Sequence, residues 1–279
     1  MAESYDAGSI VIQTYSAGAQ TIQTYEAGAF VVPQAVAAYP VGALLDYYFP
    51  ATSLALANLD PVALHTDVNT GVKTLSQAVV ASQPVYYADR LGYPAVLTDG
   101  SADFLGSTDS DLMLNGAVAS QSGALLLVVS GGSVVGRELG GWANSTDTAK
   151  YLVHRFSSPI TIYSALYYTS IGSGGINGGA ATYDPTAINA MLITTSGGTL
   201  KIWRNGTLIA SGALPDTAGD FGSWVHDHFA IGGRWRSSLV VAANAYYHAT
   251  GLAFGTVAAG LHTDPSALFA ACTTEWGTP

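Results

Sequence analysis

From residue 94 onward, apolar and β-branched runs recur at regular intervals, bounded by Gly, Ser, Asn and Asp. They include PAVLT (94–98), GALLLVVS (123–130), KYLVHRF (150–156), ITIYSALYY (160–168) and AMLITT (190–195). Each has the length and composition of a β-strand. The clearest local signal is TLKIWRNGTLIAS, where Asn205-Gly206 separates two alternating runs; Asn-Gly favours the type I′ turn that closes a two-residue hairpin. That register pairs Ile202 with Ile209 and Trp203 with Leu208. Alternation sends Leu200 and Ile202 to the core, and Lys201 and an exposed Trp203 to the other face. HFAIGG (228–233) and YYHATGLAFG (246–255) read as further strands. One helix is expected, with Asp264 as N-cap and Pro265 in its first turn, running through Leu268, Phe269 and Cys272.

The first thirty-odd residues follow a different pattern. SYDAGSIVIQ, TYSAGAQTIQ and TYEAGAFVVP stack with a period of ten, aligning Tyr5, Tyr15 and Tyr25, then Gly8, Gly18 and Gly28, then Ile12, Ile22 and Val32. Each unit reads as an Ala-Gly turn followed by a β-prone stretch. The expected organisation is a repeat arm over residues 1–33, an Ala-rich linker over 34–44 and a β-sandwich over 45–279. An arm this short cannot bury both of its faces alone, which points to pairing with another chain or with copies of itself, as in a trimer.

Only 10% of the 279 residues are charged, and the formal net charge is −10. Nine basic residues give no stripe for phosphates or anionic lipid, so nucleic acid and membrane surfaces are excluded as partners. Cys272 is the single cysteine, expected to be a small core residue. The N-terminus has neither a basic n-region nor an apolar h-region, so no secretion signal is expected.

Four segments carry a family resemblance. Gln83-Pro84-Val85-Tyr86 followed by Gly92 to Leu105 is similar to an opening-strand pattern "P-x-Y … aliphatic-x-F-D-G-x-D-D-Y-L", with Thr98 where the pattern has Phe. Leu200 to Ala210 is similar to "L-Y-V-N-G-x-x-V-A". Phe229 to Arg234 is similar to "F-x-I-G-x-R", and Leu268 to Gly277 is similar to a closing helix that ends in Trp-Gly. Together they resemble the laminin G-like branch of the concanavalin A-like lectin/glucanase superfamily, in particular its modules in bacteriophage structural proteins. The resemblance implies an all-β, jelly-roll sandwich with a short C-terminal helix. It also implies a virion component, such as a capsid decoration protein, head fibre or tail adhesin, that binds host-surface carbohydrate and joins other virion proteins through its arm. Release inside an assembled particle would bring such a protein outside cells without a signal sequence.

Catalysis is not expected; the alternatives to a glycan-binding virion component are a polysaccharide-degrading enzyme and a purely structural cement protein without glycan binding. Glycoside cleavage needs a facing carboxylate pair, whereas Glu3, Glu26, Glu138 and Glu275 are the only glutamates and form no Glu-x-Asp-x-x-Glu pattern. Asp99, Asp103, Asp109 and Asp111 could offer oxygen ligands to calcium, although turn chemistry accounts for Asp in such loops. His226 and His228, at i and i+2, could begin a zinc site; a polar strand entrance with Phe229 and Ile231 pointing inward is the simpler reading. Aromatics near turns suit sugars, whose apolar face stacks on a ring while hydroxyls take hydrogen bonds. The candidates for carbohydrate binding are Trp142, Tyr167, Tyr168, Trp203, Asn205, Trp224, Asp227, Arg234, Trp235 and Arg236.

Overall fold

The computed structural model describes residues 9–16, 19–26, 39–114, 122–132, 137–144, 151–157, 162–169, 172–178, 183–214, 226–235, 239–240 and 243–279. For 9–16, 19–26, 156–157, 162–169, 172–175, 234–235 and 239–240 the description is of the backbone.

The chain forms two compact units, Met1–Ala38 and Tyr39–Pro279. The first contains a hairpin of β1 (Ser9–Ser16) and β2 (Ala19–Glu26), in which Ser16 pairs with Ala19 and Ser9 with Glu26. Each strand runs from the β-prone end of one repeat unit into the start of the next, and the third unit beyond Glu26 lies outside the described residues.

The second unit begins with β3 (Tyr47–Pro50), β4 (Leu64–Thr66), β5 (Thr74–Ser76), β6 (Val85–Arg90), β7 (Tyr93–Asp99) and β8 (Leu105–Ser107). Next come β9 (Gly123–Ser130), β10 (Glu138–Ala143), β11 (Tyr151–Ser157), β12 (Ile162–Thr169) and β13 (Gly172–Asn177). They are followed by β14 (Asn189–Ser196), β15 (Thr199–Arg204), β16 (Thr207–Ala213), β17 (His228–Ile231), β18 (Arg234–Trp235), β19 (Leu239–Val240) and β20 (Asn244–Phe254). Two helices close the chain, α1 (Gly255–Thr263) and α2 (Ser266–Trp276).

The strands build a jelly-roll-type sandwich. The front sheet is ordered β13-β12-β11-β10-β17-β8-β5-β4, and the back sheet β16-β15-β14-β9-β20-β7-β6, with β3 also on β20. Their inner faces share one apolar core, in which Leu75, Leu105, Trp142, Leu152 and Phe229 of the front sheet meet Leu125, Leu127, Met191, Ile193 and Ile202 of the back sheet. His154 of β11 reaches across this core, its Nε2 3.0 Å from the Leu125 carbonyl oxygen on β9.

The back sheet is buried on its outer face as well. All eight residues of β9 are buried. Alternation sends Leu125, Leu127 and Val129 between the sheets, and Ala124, Leu126 and Val128 beneath the helices, against Leu268, Phe269 and Cys272. The expected helix is present, with the Asp264 carboxylate accepting from the Ser266 amide at 2.9 Å. The preceding helix α1 occupies residues whose pattern gave no expectation of one.

At the end of α2 the buried Trp276 indole donates to the Tyr48 hydroxyl at 2.8 Å. Tyr48 in turn donates to the Glu275 carboxylate at 2.7 Å, which also accepts the Val41 amide at 3.2 Å. The C-terminus is therefore tied to the first turn of the domain. Gly277 terminates the helix with φ +60, and a β-carbon there would stand 2.8 Å from the Tyr93 hydroxyl. Residues 39–44, expected as linker, carry the buried Val41 and so contribute to this layer.

The Asn205-Gly206 hairpin forms as expected, with positive φ at both positions. Trp203 pairs with Leu208, but a bulge between Ile202 and Trp203 shifts the next pair, so Ile202 faces Ala210 rather than Ile209. A second bulge divides β20, whose first half pairs with β7 and second half with β3. His248 sits at that bulge, with Nδ1 2.9 Å from the Pro94 carbonyl and Nε2 2.9 Å from the Ser130 hydroxyl. A neutral ring protonated on Nδ1 satisfies both contacts.

Burial pushes three imidazoles far down, His65 and His248 to about 4 and His154 to about 3. In the unfolded chain they titrate near 6.5. Below that pH the unfolded chain takes up protons that the folded domain refuses. Their contribution to stability is therefore complete above about 6.5 and is lost as pH falls toward 4. Asp103, raised to about 6 by burial and by the neighbouring Asp99, and Glu275, raised by burial, act in the opposite sense. His262 is lowered by burial as well, so four protons oppose two, and the melting temperature should be level between about pH 7 and 8 and fall between pH 6 and 4. Calorimetry across that range checks this; an unchanged melting temperature would show that the histidines are not held neutral.

Candidate functional site

With the back sheet covered by helices, a pocket opens on the outer face of the front sheet, with a volume of about 430 Å³. Its origin is a row of small residues running across neighbouring strands. Ser76 of β5 pairs with Gly106 of β8, and Gly106 with Ala230 of β17. Leu105, Phe229 and Ile231 point into the core, so alternation turns Gly106, Ala230 and His228 outward. Where larger side chains would cover the sheet, Ser, Gly and Ala leave a depression.

The walls supply chemistry. Phe104 lies against Gly106, its ring 3.4 Å from where a β-carbon of that glycine would stand. Thr74, Thr108, Asp109 and His228 complete the rim. His228 Nδ1 is 2.8 Å from the Asp227 carboxylate, which fixes the ring. Asp109 is oriented from two sides: its carboxylate accepts the Asp111 amide at 3.0 Å and the Lys73 ammonium at 2.9 Å. These two interactions, the amide first, hold its carboxyl below the usual carboxylate range. An aromatic face beside hydroxyls, a carboxylate and an imidazole can accept a ligand that is apolar on one side and hydroxylated on the other.

The structure distributes the sequence candidates differently. Trp142 is 1% exposed, its ring between the sheets against Phe229 and its indole nitrogen donating to the Leu112 carbonyl at 2.8 Å. A ring enclosed on all sides presents no stacking face, so Trp142 is a core residue. Trp203 does point away from the inter-sheet core, but α1 and α2 cover that face and leave it half-buried against the helical layer. Beside it, the Lys201 ammonium donates to the His262 carbonyl at 2.8 Å and caps α1. Asn205 spends its side-chain oxygen on the Ala190 amide at 2.8 Å. Of the described carbohydrate candidates, Asp227 alone reaches the pocket, through His228, where Asp109 from the acidic candidates also stands.

Tyr167 and Tyr168 are the register partners of Leu152 and Tyr151, and Arg234 and Trp235 those of Val240 and Leu239. Their side chains, and all of Trp224 and Arg236, lie outside the described residues.

The acidic candidates separate into two turns. Asp99 accepts the amides of Ser101, Ala102 and Asp103. Burial alone would raise its pKa, but these bonds and that of the Ser101 hydroxyl outweigh it. Asp109 and Asp111 both hold the Lys73 ammonium, at 2.9 and 2.5 Å. A lysine thus stands between the two carboxylates that could have offered ligands to calcium, and among the described residues no group of three or more His, Cys, Asp or Glu is placed to hold a metal. His226 and His228 likewise diverge: His226 is buried, its Nδ1 2.6 Å from the Leu114 carbonyl.

No family model matches the chain, and no curated protein matches its sequence. Among solved structures, domain 4 of AbnA, a GH43 extracellular arabinanase from Geobacillus stearothermophilus in complex with arabinotriose, is similar with a TM-score of 0.55. That likeness has 12% identity and covers 81% of this chain and 97% of that one. The CBM40 domain of the Ruminococcus gnavus IT-sialidase, bound to α2,3 sialyllactose, is similar at 12% identity with a TM-score of 0.43, covering 49% of this chain and 77% of that one. The first likeness supports the β-sandwich fold.

Trp203→Ala should lower stability by about 1–3 kcal/mol, less than the roughly 3–5 of a fully buried Trp, because the ring is half covered by the helices. Urea denaturation measures this. No loss of stability would mean that the ring is free of the helical layer.

Proposed function

We propose that the domain is a carbohydrate-binding module without catalytic activity, and that the pocket on the front sheet is its binding site. The observation that carries this reading is the pocket itself: a trough of small residues with an aromatic wall and hydrogen-bonding groups on its rim, on the sheet face that the helices leave open. The sandwich shared with an arabinanase domain in complex with arabinotriose supports it as a likeness of fold. Binding without cleavage fits the lining, in which Asp109 is the one carboxylate among the described residues and is engaged by Lys73, whereas cleavage requires an opposed acid and base or nucleophile.

The test is a glycan array followed by titration calorimetry on the full chain and on Ser76→Tyr. Ser76 is exposed and β-compatible, so tyrosine fills the trough at little cost to the sheet. Ser76→Tyr should reduce binding by more than about tenfold, roughly 1.4 kcal/mol, with an unchanged melting curve. Undiminished binding would place the site elsewhere, and release of reducing ends from a bound polysaccharide would overturn the non-catalytic reading.

The resemblance to modules of bacteriophage structural proteins extends the proposal. The domain would be displayed on a virion, with the ten-residue repeats docking it to other virion proteins or to copies of itself. Among the described residues the repeat hairpin is a two-stranded ribbon that pairs with no further strand, a form that favours strand addition. A chain starting at Tyr39 should fold and melt cooperatively, retain sugar binding and fail to join particles. Normal incorporation of that chain would remove the arm from the docking role.

A further inference from the structure

We infer that the pocket selects uncharged sugars and rejects acidic ones such as sialic acids and uronic acids; this rests on the pocket being the carbohydrate site. The argument is electrostatic. Asp109 stands on the rim, Asp111 joins it on the same ammonium, and Asp227 lies behind His228. Among the described residues no Lys or Arg lines the pocket. The nearby cation, Lys73, is bound by two carboxylates at 2.9 and 2.5 Å and is held in its charged form by them. A ligand carboxylate would therefore meet surplus negative charge, with no Lys or Arg among the described lining residues to receive it, within a chain that is itself strongly acidic. Like charges brought together in this way act against the wrong ligand more than they help the right one. A neutral sugar meets no such barrier: its hydroxyls donate to the Asp109 carboxylate while its apolar face covers Phe104.

The same geometry says how the selectivity would be reversed. Asn in place of Asp at 109 and 111 keeps the side-chain oxygen that caps the turn at Ser110 while removing both charges. The Lys73 ammonium is then left uncompensated beside the pocket.

The experiment titrates the full chain with arabinotriose, lactose and 3'-sialyllactose at low and high salt, and repeats the series on the double variant Asp109→Asn, Asp111→Asn. The expected result for the natural chain is measurable binding of a neutral sugar and binding of 3'-sialyllactose weaker than that of lactose by on the order of tenfold, a gap that narrows as salt rises. In the double variant the preference should shift toward 3'-sialyllactose by at least about fivefold. Equal or tighter binding of 3'-sialyllactose by the natural chain overturns the inference while leaving a carbohydrate site in place, and so does a double variant with unchanged preference. Binding of none of these sugars, nor of any neutral glycan on the array, overturns the carbohydrate reading and this inference with it.

Discussion

Strand β9 imposes the arrangement of the whole domain. Its run of Leu, Val and Ala carries apolar side chains on both faces, so a second sheet can satisfy only one of them. The other face needs its own cover, and α1 and α2 provide it. Each Leu or Val placed under that cover contributes roughly 1.5–3 kcal/mol by leaving water, a gain the domain would forgo if the chain stopped at Phe254. The Trp276–Tyr48–Glu275–Val41 chain of hydrogen bonds then secures the helical layer to the first residues of the sandwich domain. A three-layer body follows, of helices, back sheet and front sheet; on the outer face of the front sheet Ala143, Tyr151 and Val153 are buried in a small cluster of their own, and the pocket opens beside it over β5, β8 and β17.

That asymmetry explains why residues with similar sequence signatures do different work. Trp142 and Trp203 both sit in alternating runs, yet one fills the space between the sheets and the other lies under helices. Trp203 on the back sheet serves packing because a third layer covers it. On the front sheet the useful property is smallness, since Ser76, Gly106 and Ala230 make room. The scarce positive charges follow the same economy: Lys201 caps a helix and Lys73 gathers two carboxylates at the edge of the pocket.

Much of the fold was legible because its signals are local. The Asn205-Gly206 turn, the continuous apolar run of β9, the inward alternation of Phe229 and Ile231 and the Trp276-Gly277 ending each depend on neighbours within a few residues. The bulge between Ile202 and Trp203 was not legible, since it answers to the partner strand and leaves the composition unchanged. Helix α1 was hidden by a Gly-bounded, Ala-rich stretch with no amphipathic stripe, which a helix covering an apolar sheet does not require. The pocket was the least legible feature. Its floor is built partly on the three-residue strands β5 and β8, whose alternation is too short to read, and depends on register between segments more than a hundred residues apart, while Phe104, Thr108 and Asp109 of the wall lie just outside those strands. His228 and Ala230 carried the one available sign, because HFAI turns them outward together.

A site built on sheet positions differs from one built on loops in how it can change. Each floor residue is fixed by register, so its side chain points outward whatever its identity, while core residues on the same strands, Leu75, Leu105 and Phe229, are untouched by substitution at the alternate positions. Ser76 and Ala230 can therefore vary the depth of the trough without opening a cavity beneath it. Gly106 is different. A side chain there would press on Phe104 at 3.4 Å and on the Phe229 carbonyl at 3.2 Å, so enlarging it must move the aromatic wall. The depth of this pocket is thus adjustable at its edges and fixed at its centre, and the position of Phe104 is a consequence of the glycine beneath it.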